Sequence, residues 1–329
     1  MKAIKFFAIS AIAAAMITSC STDDELSQSN YPSDNIIRVT AGVNNAKTRA
    51  DVKYSPMDKP FSLTIVNRNA SKYTYTDKVF SKSSGDWACS DTLLWQNSET
   101  TVDIAAFAPA QTGKFNGVYA EGSIQPITYS VADDQSTKSD NNDLLYYYAK
   151  DFNPGTSLVD KKLSIKFNHA FCMIDIVVTL GTEFNKPNVL KESPIVKVTL
   201  DGTKIAANVD VKNAASVVTA SETATPTIIT TTKGTFTKAA NAEANAKSCF
   251  SCIAIPQTVA ANTFKVSLMT AGKRYEWTSD KEITLQSGYR YTLELSMGND
   301  VVLLKGGSDN GGITATPWGN GTGGSLETE

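Results

Sequence analysis

Few residues in this chain have the reach to do chemistry on a small molecule. Among 329 residues there are five cysteines and one histidine, His169. Any Ser-His-Asp triad would need His169 as its base. It stands between Asn168 and Ala170, where one alternating pattern meets the next, and that position suits a packed or capping residue better than a base. Cys249 and Cys252 form a CxxC, but the pair runs straight into the apolar Ile253-Ala254-Ile255. On a strand, positions three apart face opposite sides, which is poor geometry for a metal or a redox couple. No second CxxC supports zinc. Asp133, Asp134, Asp140 and Asp143, with Asn141 and Asn142, form an acidic stretch that lacks the spacing, glycine and closing glutamate of a calcium loop. Gly319 to Gly324 satisfies GxGxxG, but no helix follows to cradle a phosphate. Gly-x-Ser-x-Gly, HExxH and Walker patterns do not occur. The chain therefore reads as no enzyme, with no cofactor and no metal.

Composition narrows the partners. Lys and Arg number 31 against 33 Asp and Glu, a net charge of -2, so no broad basic face for nucleic acid is implied. The hydrophobic fraction of 41% can build real cores, and the charged fraction of 19% is low for a solvated helical protein. The length fits about two domains of ~150 residues. Trp87, Trp95, Trp277 and Trp318 could line a sugar-binding platform, because aromatic faces stack on pyranose rings. Their flanking strand patterns favour packing instead.

The fifth cysteine, Cys20, reads differently. Lys2 and Lys5 precede the apolar run Phe6 to Ile17, which is too short to cross a bilayer of ~30 Å. The run ends at Ile17-Thr18-Ser19-Cys20, the form of a bacterial lipobox, with Cys20 as the acylated first mature residue. Several acyl chains would hold a protein firmly at a membrane, at ~0.8 kcal/mol per buried methylene. The alternative is an ordinary cleaved signal with a chance cysteine. Ser21 to Asp34 follows as a polar tether.

The body reads as strands. Ile37, Val39, Ala41 and Val43 alternate with Arg38, Thr40 and Gly42, and the same period recurs in Phe61 to Ile65, Val102 to Ala106, Leu163 to Phe167, Ile174 to Leu180 and Tyr289 to Leu295. Alternation places one side-chain row on a core and the other in water. Turn residues such as Pro154-Gly155, Asp201-Gly202 and Ser287-Gly288 separate the runs. The expected class is all-β, as antiparallel sandwiches. The most linker-like break is Lys150 to Lys162, Ala239 to Lys247 could form a short helix, and Asn213 to Lys247 is expected to hold a long surface loop.

In this order, several landmarks resemble the fimbrillin family of Bacteroidetes, the lipoprotein-derived subunits of type V pili. They are the lipobox at Cys20, Thr48-Arg49-Ala50, Leu94-Trp95 followed by Val102 to Pro109, Asp143 to Tyr146, and Phe167-Asn168-His169-Ala170 leading into Ile174-Asp175-Ile176. Ile255-Pro256-Gln257, Ser287-Gly288-Tyr289 and Ile313 to Trp318 complete the set. The resemblance implies two transthyretin-like antiparallel β-sandwich domains. The expected division is a signal over 1–20, a tether and propeptide plug strand over 21–49, a first sandwich over 50–157, and a second over 158–329 with a candidate donor-strand tail. Before processing, the first strand of the first sandwich would be 36–43, with Ile37, Val39, Ala41 and Val43 facing the core. A trypsin-like protease would cut after Arg49, leaving Ala50 as the new N-terminus. The implied role is a structural or accessory fimbrial subunit at the outer membrane, assembling with other fimbrial subunits by donor-strand exchange and supporting adhesion to a host or bacterial surface ligand. A surface lipoprotein that binds glycans through its tryptophans is the alternative.

Overall fold

The computed structural model describes residues 30–44, 54–111, 124–185, 188–304 and 313–318. The first half contributes β1 (Val39–Asn44), β2 (Tyr54–Pro56), β3 (Phe61–Val66), β4 (Tyr75–Ser83), β5 (Asp86–Cys89), β6 (Val102–Ala108), β7 (Ile127–Ser130), β8 (Leu145–Phe152) and β9 (Leu163–His169). The one α-helix among the described residues, α1, is the single turn Pro154–Ser157. The second half contributes β10 (Cys172–Leu180), β11 (Ile195–Asp201), β12 (Ala206–Val209), β13 (Val218–Ala220), β14 (Ile229–Thr230), β15 (Thr232–Thr237) and β16 (Lys247–Ala254). After them come β17 (Gln257–Val259), β18 (Lys265–Thr270), β19 (Arg274–Thr278), β20 (Ile283–Leu285), β21 (Tyr289–Met297), β22 (Val302–Leu304) and β23 (Ile313–Pro317). The fold is an all-β sandwich architecture.

The first sheet runs β2-β1-β9-β8-β6-β3-β4-β5. Strand β8 pairs with β6 along most of its length but with β9 only at Leu145–His169 and Tyr146–Asn168. The sheet turns over at that narrow join, so that Leu163, Ile165 and Phe167 of β9 share a core with Phe61, Leu63, Ile65 and Ile104 of β3 and β6. Phe167 meets Phe61 edge to face at 5.4 Å, and Phe61 stacks on Phe80 at 5.4 Å. Every residue of β6 is buried. Its Ile104, Ala106 and Ala108 face this core, while Ala105 and Phe107 face another on the far side. A strand covered on both faces needs an apolar run, and Ile104 to Ala108 supply it, after a buried Asp103.

The second sandwich packs β15-β16-β10-β21-β22, with β23 also on β21, against β14-β11-β18-β19. Ile174, Ile176, Val178 and Leu180 oppose Val198, Leu200, Val266 and Leu268 in its core. A third core joins the two units. Here β7 of the first half pairs with β12 of the second, and Phe107, Ile127, Phe171, Val209 and Ile255 pack together. Gln135 reinforces the join as a strand would: its amide donates to the Ile253 carbonyl at 2.9 Å, and its carbonyl accepts the Ile253 N–H at 2.8 Å.

Three expectations change. The division at 157/158 falls inside the first unit, because β9 lies beyond it and pairs with β1 and β8. The chain crosses into the second sandwich at Ala170-Phe171, both buried in the third core. Ala239 to Lys247 is a turn and not a helix. The Asn241 carboxamide oxygen accepts the amides of Glu243 and Ala244 at 3.1 and 2.9 Å, a local bond that competes with helix. The expected loop over Asn213 to Lys247 contains β13, β14 and β15.

The four cysteines among the described residues are free thiols. Cys252 faces the core and Cys249 is half-buried on the opposite side, as the spacing requires. Burial pushes the Cys172 thiol well above its usual range, and pushes Cys252 up to about 12. Both stay protonated near neutral pH, so thiol-specific reagents should modify Cys172 and Cys252 only on unfolding, read by mass spectrometry with and without denaturant. Phe167→Ala should lower stability by about 3–5 kcal/mol in denaturant titration, because it opens a cavity where the two wings of the first sheet meet.

Candidate assembly site

The alternating segment Ile37 to Val43 seats in the first sandwich in two stages. Val39 to Val43 run parallel to β9, in the register Val39–Leu163, Ala41–Ile165 and Val43–Phe167. The strand itself begins at Val39, later than the expected residue 36, because the residues before it bond elsewhere. Ile37 N–H donates to the Leu93 carbonyl at 2.9 Å, and Trp95 N–H donates to the Asn35 carbonyl at 2.8 Å. Ile36 and Leu94 thus form an antiparallel bridge. Ile37 and Val39 are 5% and 4% exposed, while Ala41 and Val43 are half-buried against the same core. The four apolar positions read from the sequence therefore face one core, but the first two are sunk deeper.

Polar contacts frame the segment. The Asp34 carboxylate receives both Arg38 guanidinium nitrogens, at 3.0 and 2.6 Å, and the Ile36 N–H at 3.1 Å. The Arg38 hydrogen bonds hold the exposed Asp34 carboxyl at about 2. At the other end the Asn44 side chain donates to Asn168 at 2.7 Å. Strand β2 lies on the outer side of β1, with Gly42–Pro56 and Asn44–Tyr54 paired antiparallel. Arg49 and Ala50 belong to the connection from β1 to β2 and lie outside the described residues, as does Cys20.

The Leu93–Trp95 strap was not visible as a functional element in the sequence. The body grips it firmly. The Tyr75 hydroxyl accepts the Leu94 N–H and donates to the Leu94 carbonyl, each at 3.0 Å. Asn67 donates to Gln96 at 2.9 Å, and Trp95 stacks on Phe152 at 5.9 Å. The apolar Leu93-Leu94-Trp95 triplet, and the place of Leu94-Trp95 among the family landmarks, are the signals that could have marked it.

The other chemically able residues are occupied in packing. His169 Nδ1 meets the Asp143 carboxylate at 3.0 and 3.1 Å, and its ring stacks on Trp318 at 3.8 Å. This contact ties the end of β23 to the first sandwich. Trp87 packs edge-on to Phe61, Trp277 edge-on to Phe264, and Trp95 is buried. No three His, Cys, Asp or Glu side chains converge as metal ligands among the described residues. The Asp133 and Asp134 carboxylates accept nearby backbone amides. A cleft of about 460 Å³ at the junction is lined by residues such as Tyr146, Val217, Gln257, Gln286 and Tyr289, with no carboxylate or imidazole among them. Both C-terminal apolar pieces pair with β21: β22 at Leu295–Met297 and β23 at Tyr289–Leu293. Gly319 to Gly324 lies outside the described residues.

Comparison with known proteins agrees with this architecture. No curated protein sequence matches significantly. Among solved structures, a candidate cell adhesion protein from Bacteroides ovatus superposes with a TM-score of 0.58 at 14% identity, covering 86% of this chain and 97% of that one. A candidate cell adhesion protein from Bacteroides uniformis gives 0.56 at 13% identity, over 87% and 99%. A fimbrial protein from Bacteroides vulgatus gives 0.53 at 15% identity, over 86% and 99%. At these identities the likeness is one of fold. The family model described as fimbrillin-like matches residues 34–318. Its match begins at the seated first segment and closes on Trp318, so it takes in both sandwiches and the core between them: the chain belongs to the fimbrillin-like family.

Proposed function

We propose that this protein is a structural or accessory fimbrial subunit that assembles by donor-strand exchange after proteolytic removal of its first strand, and that it supports surface adhesion. The observation that carries the reading is the placement of β1. With Ile37 just before it, β1 supplies side chains to the core of the first sandwich, yet its covalent path to the rest of that sandwich runs through the connection that contains Arg49. Fully burying an Ile or Val side chain is worth about 1.5–3 kcal/mol, so Ile37 and Val39 together contribute about 3–6 kcal/mol. Ala41 and Val43 add less. Domains of this kind are stable by about 5–15 kcal/mol, so a subunit that loses the strand and gains nothing approaches unfolding. The vacated edge of β9 and its apolar groove would then favour a strand from another copy.

Within this reading the plug is Ile37, Val39, Ala41 and Val43, the cut follows Arg49, and Ala50 opens the mature chain. Cys20 carries the lipid that delivers the subunit to the outer membrane. Strand β22 is the apolar segment most easily surrendered as donor. It pairs over three residues, and Val301, Leu303 and Leu304 are 48%, 58% and 37% exposed. Strand β23 is held harder, through buried Ile313 and the Trp318 stack.

Arg49→Ala should leave the surface protein unprocessed and monomeric by N-terminal sequencing and non-reducing gel analysis of sheared fibres. Normal polymer with an Ala50 N-terminus would sink the reading. Cys20→Ser should abolish metabolic labelling with palmitate and the membrane association of the precursor.

A further inference from the structure

We propose that the strap Leu93–Trp95 keeps the plug seated after the chain is cut beyond Asn44. The cut subunit then retains its first strand as a non-covalent fragment until a strand from a second copy displaces it, starting at the Phe167 end of β9. This rests on the donor-strand reading above and concerns what happens between the cut and the exchange.

The argument is one of unequal anchoring. Cutting the connection beyond Asn44 breaks a peptide bond but removes none of the contacts that hold Asn35 to Val39. Those contacts are the Ile37–Leu93 and Trp95–Asn35 backbone bonds, the Leu163 N–H donating to the Arg38 carbonyl at 2.8 Å, and the two buried side chains Ile37 and Val39. The strap cannot yield easily, because both backbone groups of Leu94 are bonded to Tyr75 and Trp95 is stacked on Phe152. The half nearer the cut is weaker. Its backbone pairs with β9 over Ala41 to Val43 and with β2 over Gly42 to Asn44, but its side chains hold less: all four residues are only half-buried, and the one side-chain hydrogen bond there among the described residues is Asn44–Asn168.

Fraying therefore begins at the cut end and runs backwards. It uncovers β9 in the order Phe167, Ile165, Leu163, following the observed register. An incoming strand can pair with the first freed positions while Ile37 still covers the far end of the core, so the groove is never wholly empty. A fragment that keeps the lipid at Cys20 would also leash the cut subunit to the membrane over the same interval.

The test uses the full-length protein, cut between residues 45 and 53 with a trypsin-like protease and passed over size exclusion under native conditions. Mass spectrometry of the body peak should find the fragment ending at Arg49 still bound. Separation of the fragment as soon as the chain is cut would overturn the proposal, and leave the donor-strand reading intact. Ile37→Ala should shorten retention by about 30-fold or more, because a buried Ile is lost from the clamped half. Val43→Ala should shorten it by less than about tenfold. The reverse order would place the hold on β9 and overturn the role of the strap. Leu93→Ala tests the strap from the body side, and its uncut form is melted alongside; where it does not fold, the Ile37 and Val43 pair decides alone. Polymerisation of the uncut Arg49→Ala chain counts against the donor-strand reading, whereas retention is read whether or not polymer forms.

Discussion

The edge of β9 sets the terms for the rest of this protein. Leu163, Ile165 and Phe167 build one wing of the first core, so β9 cannot be left with an open side without exposing both its backbone and the Phe61–Phe167 contact. In the structure that side is closed by β1, which pairs parallel to β9 and contributes Val39 to the same core, with Ile37 just before the strand adding to it. Parallel neighbours need a long crossover, and here it comprises nearly the whole first sandwich. The strand that completes the core is thus the first strand among the described residues, and β2 to β8 lie between it and its partner.

The second constraint is the third core. Two sandwiches joined by a linker would each need a polar face toward the other. Here Phe107, Phe171 and Ile255 are shared, and Gln135 exchanges two hydrogen bonds with Ile253. Ile104 and Phe107 of β6 therefore serve different cores from one strand. The same logic explains the lone histidine. His169 stands where β9 ends and the chain enters the second unit, and the Asp143 bond and the Trp318 stack use it to hold the last strand against the first sandwich.

What the sequence revealed and what it hid follow from the same physics. Alternation in Leu163-Ser164-Ile165-Lys166-Phe167 shows which residues face inward, and all three apolar ones are buried. Alternation does not say which core they face, so Pro154-Gly155 looked like a domain break when it is a turn between β8 and β9 of one unit. The apolar face of Ile37 to Val43 was legible for the same reason. Its unequal depth was not, because that depends on Leu93–Trp95, three apolar residues with no period of their own. Pairs such as Asp143–His169 and Asp175–Arg290 sit far apart in the chain and join only when strands align. The turn at Asn241 escaped because its alanine-rich surroundings favour helix, and a single side-chain oxygen decided otherwise.

The shared core also has a mechanical side. A tensile load entering through the β1–β9 edge of one sandwich reaches the other through β7–β12 pairing and interlocked aromatic rings. Such an interface resists shear across many small contacts at once, whereas a linker would concentrate the force on one extended stretch of backbone. Under traction the molecule should behave as a single stiff strut, and compliance would belong to the joints between molecules.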